Sequence, residues 1–336
     1  MAPEIEPDGP AQRPTALPPW ARALGIVLTL ASLGFVGWRL AASDAWQLRR
    51  LTTPEGLAVL VAASVVYGAV CLLLVLAWRR VLGLLAEEPG DERKAEPPRL
   101  ARWLPGFDAC LGIYGRSQIA KYLPGNVFHL AGRQVLAQRA GVPARVAGLS
   151  LALEHLGLVA AAAALALALP SALSPGGPWL SAATVAALGL AACALPLLAQ
   201  SAARRGAVPW LRLPPIAPRR MLAAWLQVIA WQLLFFLGVG LLLFALVRSL
   251  VDATLPLAVF AFAPAWLLGL VTPGAAAGVG VREAVLILLL ENGGLPADDA
   301  LLAALALRLV TTLGDVVFLG LGVRASSADA TAGEGR

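Results

Sequence analysis

The run Lys121-Tyr-Leu-Pro-Gly-Asn-Val-Phe-His-Leu-Ala-Gly-Arg133 sets a Pro-Gly break, a lysine, a histidine and an arginine into an otherwise strongly apolar chain. Proline cannot continue the helix before it, and glycine permits the sharp reversal that follows. A second run, Thr272-Pro-Gly-Ala-Ala-Ala-Gly-Val-Gly-Val-Arg-Glu283, repeats the arrangement downstream. In both, the proline precedes an arginine by nine residues, Pro124 before Arg133 and Pro273 before Arg282. The two runs read as paired re-entrant helical hairpins, broken at Pro124-Gly125 and Pro273-Gly274, of a transporter-like membrane protein.

Composition points the same way. Of 336 residues, 59% are hydrophobic and 14% charged, and the mean hydropathy is +0.77. Soluble domains are about 45–50% apolar and about 25% charged, so the chain reads as an all-α polytopic membrane protein. A hydrocarbon core about 30 Å thick takes roughly 20 helical residues. Six stretches supply full spans: 22–40, 57–78, 145–169, 179–199, 221–247 and 300–323. The two hairpin regions, 107–140 and 255–291, have arms too short to cross alone. Three full spans lie between them, so the second hairpin enters from the opposite face, as in an inverted repeat. Eight ordinary kinked spans are the plainer alternative.

One membrane domain thus covers 21–323, with 1–20 and 324–336 read as disordered cytoplasmic tails. The first twenty residues lack a basic segment running into a short apolar core and are not expected to be a cleavable signal. Cys71, Cys110 and Cys193 are isolated and read as small apolar residues. The net charge of +6 comes mostly from arginine in loops, which excludes nucleic acid as the natural partner. The segments 79–102 and 200–220 are arginine-rich, whereas 170–178 and 291–299 contain no arginine or lysine. The positive-inside rule then places both termini in the cytoplasm, in the cell (inner) membrane. Arg49 and Arg50 fall on the far side and run against the rule.

Ionisable groups at membrane depth cost about 2.5–3.5 kcal/mol each on insertion scales, so they persist where something requires them. Here they are Lys121, His129, Arg133, Glu154, His155, Arg282, Glu283, Arg308 and Asp315. Four cations face three carboxylates, and the two half-helices after the breaks add positive N-termini. With Asn126 at the first break, the centre suits an anion, and the planar guanidinium suits phosphate. The structural alternative pairs Arg133 with Glu154 and Arg282 with Asp315 to lock helices together. Arg308 and Asp315 share one helix face and stand as partners for Glu283 and Arg282. Glu154-His155 resembles part of a proton relay, with a satisfied buried pair as the alternative. His129 has no second histidine or cysteine close in sequence, so no metal or cofactor is expected. A nucleotide-binding glycine loop and a nucleophile-plus-base motif are both missing, which argues against ATP-driven transport and against an enzyme.

The stretches Gln118-Ile-Ala-Lys-Tyr-Leu-Pro-Gly-Asn-Val-Phe-His-Leu-Ala-Gly-Arg133, Gly141-Val142, Glu154, Leu270-Val-Thr-Pro-Gly274, Gly280-Val-Arg-Glu283 and Arg308 to Asp315 resemble the lysylphosphatidylglycerol synthase transmembrane-region family of flippase-like proteins. The resemblance covers roughly 20–323. It implies lipid involvement: in the family's aminoacyl-lipid synthases a similar membrane region is linked to lipid flipping. There a soluble C-terminal domain makes the aminoacylated lipid. This chain stops soon after its last span, so synthase activity is not expected of it. The expected function is a lipid translocase for an anionic phospholipid or polyprenyl-phosphate lipid. The alternative is a non-transporting partner that presents lipid to a membrane glycosyltransferase or aminoacyltransferase.

Overall fold

The computed structural model describes residues 19–43, 49–88, 99–123, 128–172, 183–189, 201, 216–251, 257–272 and 278–334. Ten helices of 12 residues or more can be followed among them: α1 Pro19–Ala42, α2 Pro54–Val70, α3 Leu72–Leu85, α4 Phe107–Gln118, α5 Phe128–Arg139, α6 Ala144–Ala172, α7 Pro218–Leu246, α8 Ala258–Val271, α9 Val281–Asn292 and α10 Ala297–Glu334. A two-residue antiparallel pairing of Glu87–Glu88 with Arg99–Leu100 interrupts the helical pattern.

Among the described residues four continuous helices are long and apolar enough to cross a membrane: Pro54–Leu85, Ala144–Leu169, Pro218–Val251 and Ala297–Ser327. The first joins α2 to α3 through Cys71, whose backbone stays helical. Thr53 starts it, its hydroxyl accepting the Gly56 N–H at 3.0 Å, with Pro54 in the first turn. The outward faces are as apolar as the core: Leu30, Val61, Leu167 and Val271 are each at least 60% exposed. In water such a continuous surface would drive association, and in lipid it is at home. This is an all-α membrane protein.

The helices differ from the sequence reading at their ends. The last helix runs from Ala297 to Glu334, so 324–334, read above as a tail, continue it. The run Ala325-Ser-Ser-Ala-Asp-Ala330 is rich in alanine and holds no proline to stop the helix. The span read at 179–199 lies mostly outside the described residues, although 183–189 are helical and pass Ile229 and Leu233 of α7 at Gly189. Both Pro-Gly breaks, with Asn126, also lie outside the described residues.

Polar contacts define two ends of the bundle. At one, Arg39 of α1 pairs with Glu291 of α9, and Arg50 reaches the Leu250 carbonyl (3.1 Å) and Asp299 (3.9 Å). At the other, Arg80 donates to Gln227 (2.7 Å), and Leu84, Ile216 and Met221 pack together. Helices α4, α5, α8 and α9 are 12–14 residues long, about 18–21 Å at 1.5 Å per residue, well short of a full crossing. The start of α4 lies against the C-terminal part of α10, where Gly112 meets Ser326. A 3₁₀ turn, Ile119–Tyr122, carries it inward until Tyr122 reaches Asp315 (2.5 Å). In the other pair, α8 and α9 meet at Gly269 and Gly278, and α9 runs out to Glu291 at the first end.

Small residues set the depth of α4. A Cβ on Gly115 would lie 2.9 Å from the Phe318 carbonyl oxygen and 3.2 Å from the Gly322 Cα, so the two backbones touch. Gly115→Leu is expected to cost ~1–3 kcal/mol through overpacking and to lower the melting temperature in detergent. Gly320→Ala, on α10 but facing open space, is expected to be neutral or slightly stabilising. Equal melting of Gly115→Leu and wild-type protein would show that the seam is not tight.

Candidate functional site

Where the two short helix pairs approach each other, a cavity of about 100 Å³ opens at the centre of the bundle. Lys121, Arg133, Arg282 and Arg308, the four cations singled out in the sequence, all line it. The three carboxylates do not. Glu154, Glu283 and Asp315 stand behind the cations, at most 6% exposed, and each holds at least one of them.

The α4–α5 side is closely locked. Arg133 Nη1 meets Glu154 Oε2 at 2.5 Å, with Arg133 only 1% exposed and Glu154 fully buried. The other carboxylate oxygen accepts the Tyr114 hydroxyl at 2.7 Å. The guanidinium stacks on the Tyr114 ring, its Cζ 3.4 Å from the centroid. Its Nε lies 3.4 Å from Ser117 Oγ. Gln232 of α7 donates to the Glu154 backbone carbonyl (2.9 Å), which fixes α6 against α7. The Arg133–Glu154 pairing weighed in the sequence is therefore present.

The α8–α9 side is organised by Glu283. Its Oε2 accepts the Gly280 N–H at 2.7 Å, so a carboxylate already answers part of the positive start of α9. Gly280 has φ +84 and Gly278 φ +67, values that favour glycine and allow this entry into the helix. Glu283 Oε1 then receives two guanidiniums, Arg308 at 3.2 Å and Arg282 at 3.6 Å. Arg282 Nη2 lies 3.4 Å from the Thr311 hydroxyl.

The suggested Arg282–Asp315 pair is not formed. Asp315 instead takes Lys121 Nζ at 2.7 Å and the Tyr122 hydroxyl at 2.5 Å. The reason is positional: the 3₁₀ turn after α4 delivers Lys121 and Tyr122 to α10, whereas Arg282 sits one turn earlier, beside Thr311. The suggested Arg308–Glu283 pair is formed.

The histidines are closer than the sequence implied. His129 and His155 both line the cavity, with ring centroids 6.1 Å apart. His155 Nδ1 lies 2.9 Å from the Leu151 carbonyl, and its N–H donates there in the matching tautomer. Among the described residues His129 Nδ1 is buried without a hydrogen-bond partner, and no group of three or more His, Cys, Asp or Glu could hold a metal.

Tyrosine was overlooked in the sequence. The chain has three tyrosines and two histidines, and all five line this cavity. Their scarcity in so apolar a chain was a readable signal. Phe262 and Trp266 of α8 complete an aromatic wall, with Arg282 Cζ 5.7 Å from the Phe262 ring. The arrangement can hold a small anion against cations and aromatic faces. No protein-family model, characterised protein or solved structure matches the chain.

Removing Arg133 alone leaves the Glu154 carboxylate buried and unpaired. Arg133→Gln is expected to destabilise by ~3–5 kcal/mol, and adding Glu154→Gln is expected to recover most of that loss. Thermal unfolding of the two single variants and the double variant in detergent measures the coupling. Additive losses would show that the pair does not hold the helices together.

Proposed function

We propose that this chain is an integral membrane lipid translocase that passes the phosphate-bearing head group of an anionic lipid through the central cavity. One observation carries the reading: four cations line a single cavity while every carboxylate that pairs with them stands outside its lining. Buried cations arranged this way leave their field directed into the cavity, where a phosphate supplies the missing counter-charge. The cavity, about 100 Å³, suits a phosphate group and not a whole lipid, so acyl or prenyl tails stay in the bilayer.

On this reading α4–α5 and α8–α9 are re-entrant hairpins that enter from opposite faces. Hairpins of this kind turn within protein or a wet cavity, because open backbone is untenable in lipid. The end carrying Arg80 and Arg220 lies in the cytoplasm together with both termini, and the Glu291 end lies outside. The resemblance of the two Pro-Gly runs to the lysylphosphatidylglycerol synthase transmembrane-region family supports both the hairpins and the lipid.

Two experiments test this. In proteoliposomes holding head-group-labelled phosphatidylglycerol, dithionite is expected to bleach inner-leaflet label when the protein is present, with or without an imposed proton gradient. Bleaching that stops at the outer leaflet in both conditions, with folded protein, would leave lipid presentation as the surviving reading. In a cysteine-free background, Asn292→Cys is expected to react with an impermeant maleimide on intact cells and Arg102→Cys only after lysis. The reverse pattern would invert the orientation.

A further inference from the structure

The ion pairs around the cavity are not equivalent. Lys121 has Asp315 to itself at 2.7 Å, and Arg133 has Glu154 to itself at 2.5 Å. Arg282 and Arg308 share one carboxylate, Glu283. Among the described residues two pairs are closed and the third grouping is one negative charge short. The stretches of sequence that join α4 to α5 and α8 to α9 outside the described residues, 124–127 and 273–277, contain only Pro, Gly, Asn, Val and Ala and no ionisable residue. The two histidines that line the cavity have no carboxylate ion pair among the described residues to hold a proton on them at pH 8. Among the described residues the surplus is therefore a single positive charge, located at Arg282 and Arg308.

Resting on the lipid-phosphate reading, we infer that the Arg282–Arg308 pair is the anion seat and that it is matched to one negative charge, a phosphodiester lipid in preference to a phosphomonoester or a diphosphate. Both guanidiniums line the cavity and remain partly exposed, 12% and 19%, whereas Arg133 is closed off against Tyr114 and Glu154. Two guanidinium forks present donors for the two non-bridging oxygens of a diester. Repulsion between like charges held away from water is relieved when one anion joins them. A phosphomonoester carries about −1.5 to −2 at neutral pH, and its second charge would stay unmatched in the interior. A diphosphate adds more. Arg133 is on this account a positioning residue that fixes α5 and the cavity wall, and not the counterpart of Arg282.

The test uses the purified full chain in detergent at pH 8, with calorimetric titration of three soluble probes. These are dihexanoyl phosphatidylglycerol (a diester), dihexanoyl phosphatidic acid (a monoester) and inorganic phosphate. Wild-type protein is expected to bind the diester at least ~10-fold more tightly than the monoester, about one unit in the logarithm of Kd. Arg308→Gln removes the surplus charge and is expected to weaken the diester ~10-fold or more. Glu283→Gln raises the surplus from one to two and is expected to shift preference toward the monoester. Should that variant fold poorly, the wild-type ratio of the two lipids decides by itself. Equal binding of diester and monoester, or a ratio unmoved in a folded Glu283→Gln protein, overturns the charge match while leaving lipid binding in place. No binding of either lipid by folded wild-type protein overturns the lipid-phosphate reading beneath it. Inorganic phosphate, mostly a dianion at this pH, binding as well as the diester overturns both, since the seat would then serve free phosphate.

Discussion

A charge far from water must be answered by another, and that demand organises this bundle. Apolar side chains cannot tell one helix neighbour from another in lipid, because the surrounding tails are as apolar as leucine. Ion pairs and small-residue contacts can. Arg133–Glu154 joins α5 to α6, Lys121–Asp315 joins the turn after α4 to α10, and Arg308–Glu283 joins α10 to α9. Each links one of the short helix pairs to a long helix. Helices of 12–14 residues have little lipid-facing length to hold them, so these links and seams such as Gly115–Gly322 fix their position in the bundle. Stability and the layout of the cavity therefore come from the same few side chains.

Much of this was legible in the sequence, for a physical reason. In a chain only 14% charged, a lysine or arginine inside an apolar run is conspicuous because the bilayer makes it costly. Lys121, Arg133, Arg282 and Arg308 were found that way, and all four reach one cavity. Pairing was less legible. Glu283 was readable as a partner for Arg308, but not as the side chain that also reaches back to cap Gly280 and gathers Arg282 as well. Asp315 finds Lys121 because a 3₁₀ turn extends α4 by four residues, which helical periodicity does not reveal. His129 and His155 are 26 positions apart, and only the fold of α5 onto α6 makes them neighbours. Helix ends were misjudged where composition changed without a proline, as at 324–334.

The two halves began as a matched pair in the sequence, each with an arginine nine residues after a proline. The fold gives those arginines different duties. Arg133 is held by a carboxylate, a hydroxyl and a tyrosine face, and has little left to offer a ligand. Among the described residues Arg282 shares its one carboxylate with Arg308 and meets its hydroxyl partner at 3.4 Å. An equal motif thus yields one closed ion pair and one open one. The difference arises on α10, which supplies Arg308 to the second half and Asp315 to the first.

That shared helix has a consequence for movement through the centre. Arg308 and Asp315 are seven residues apart on one face of α10, about 10 Å along its axis. Each is gripped from a different short helix pair, so α10 acts as a common rail between the two. A head group that crosses on the proposed path would leave the influence of one pair and enter that of the other within two helical turns. A phosphate drawn to Arg308 would compete with Glu283 and so loosen the tie between α9 and α10. Lys121 and Tyr122 would keep the first pair fixed on Asp315 meanwhile. The ligand that satisfies the surplus charge is thus also the one able to free the second helix pair, and binding and opening would draw on the same Arg308–Glu283 contact.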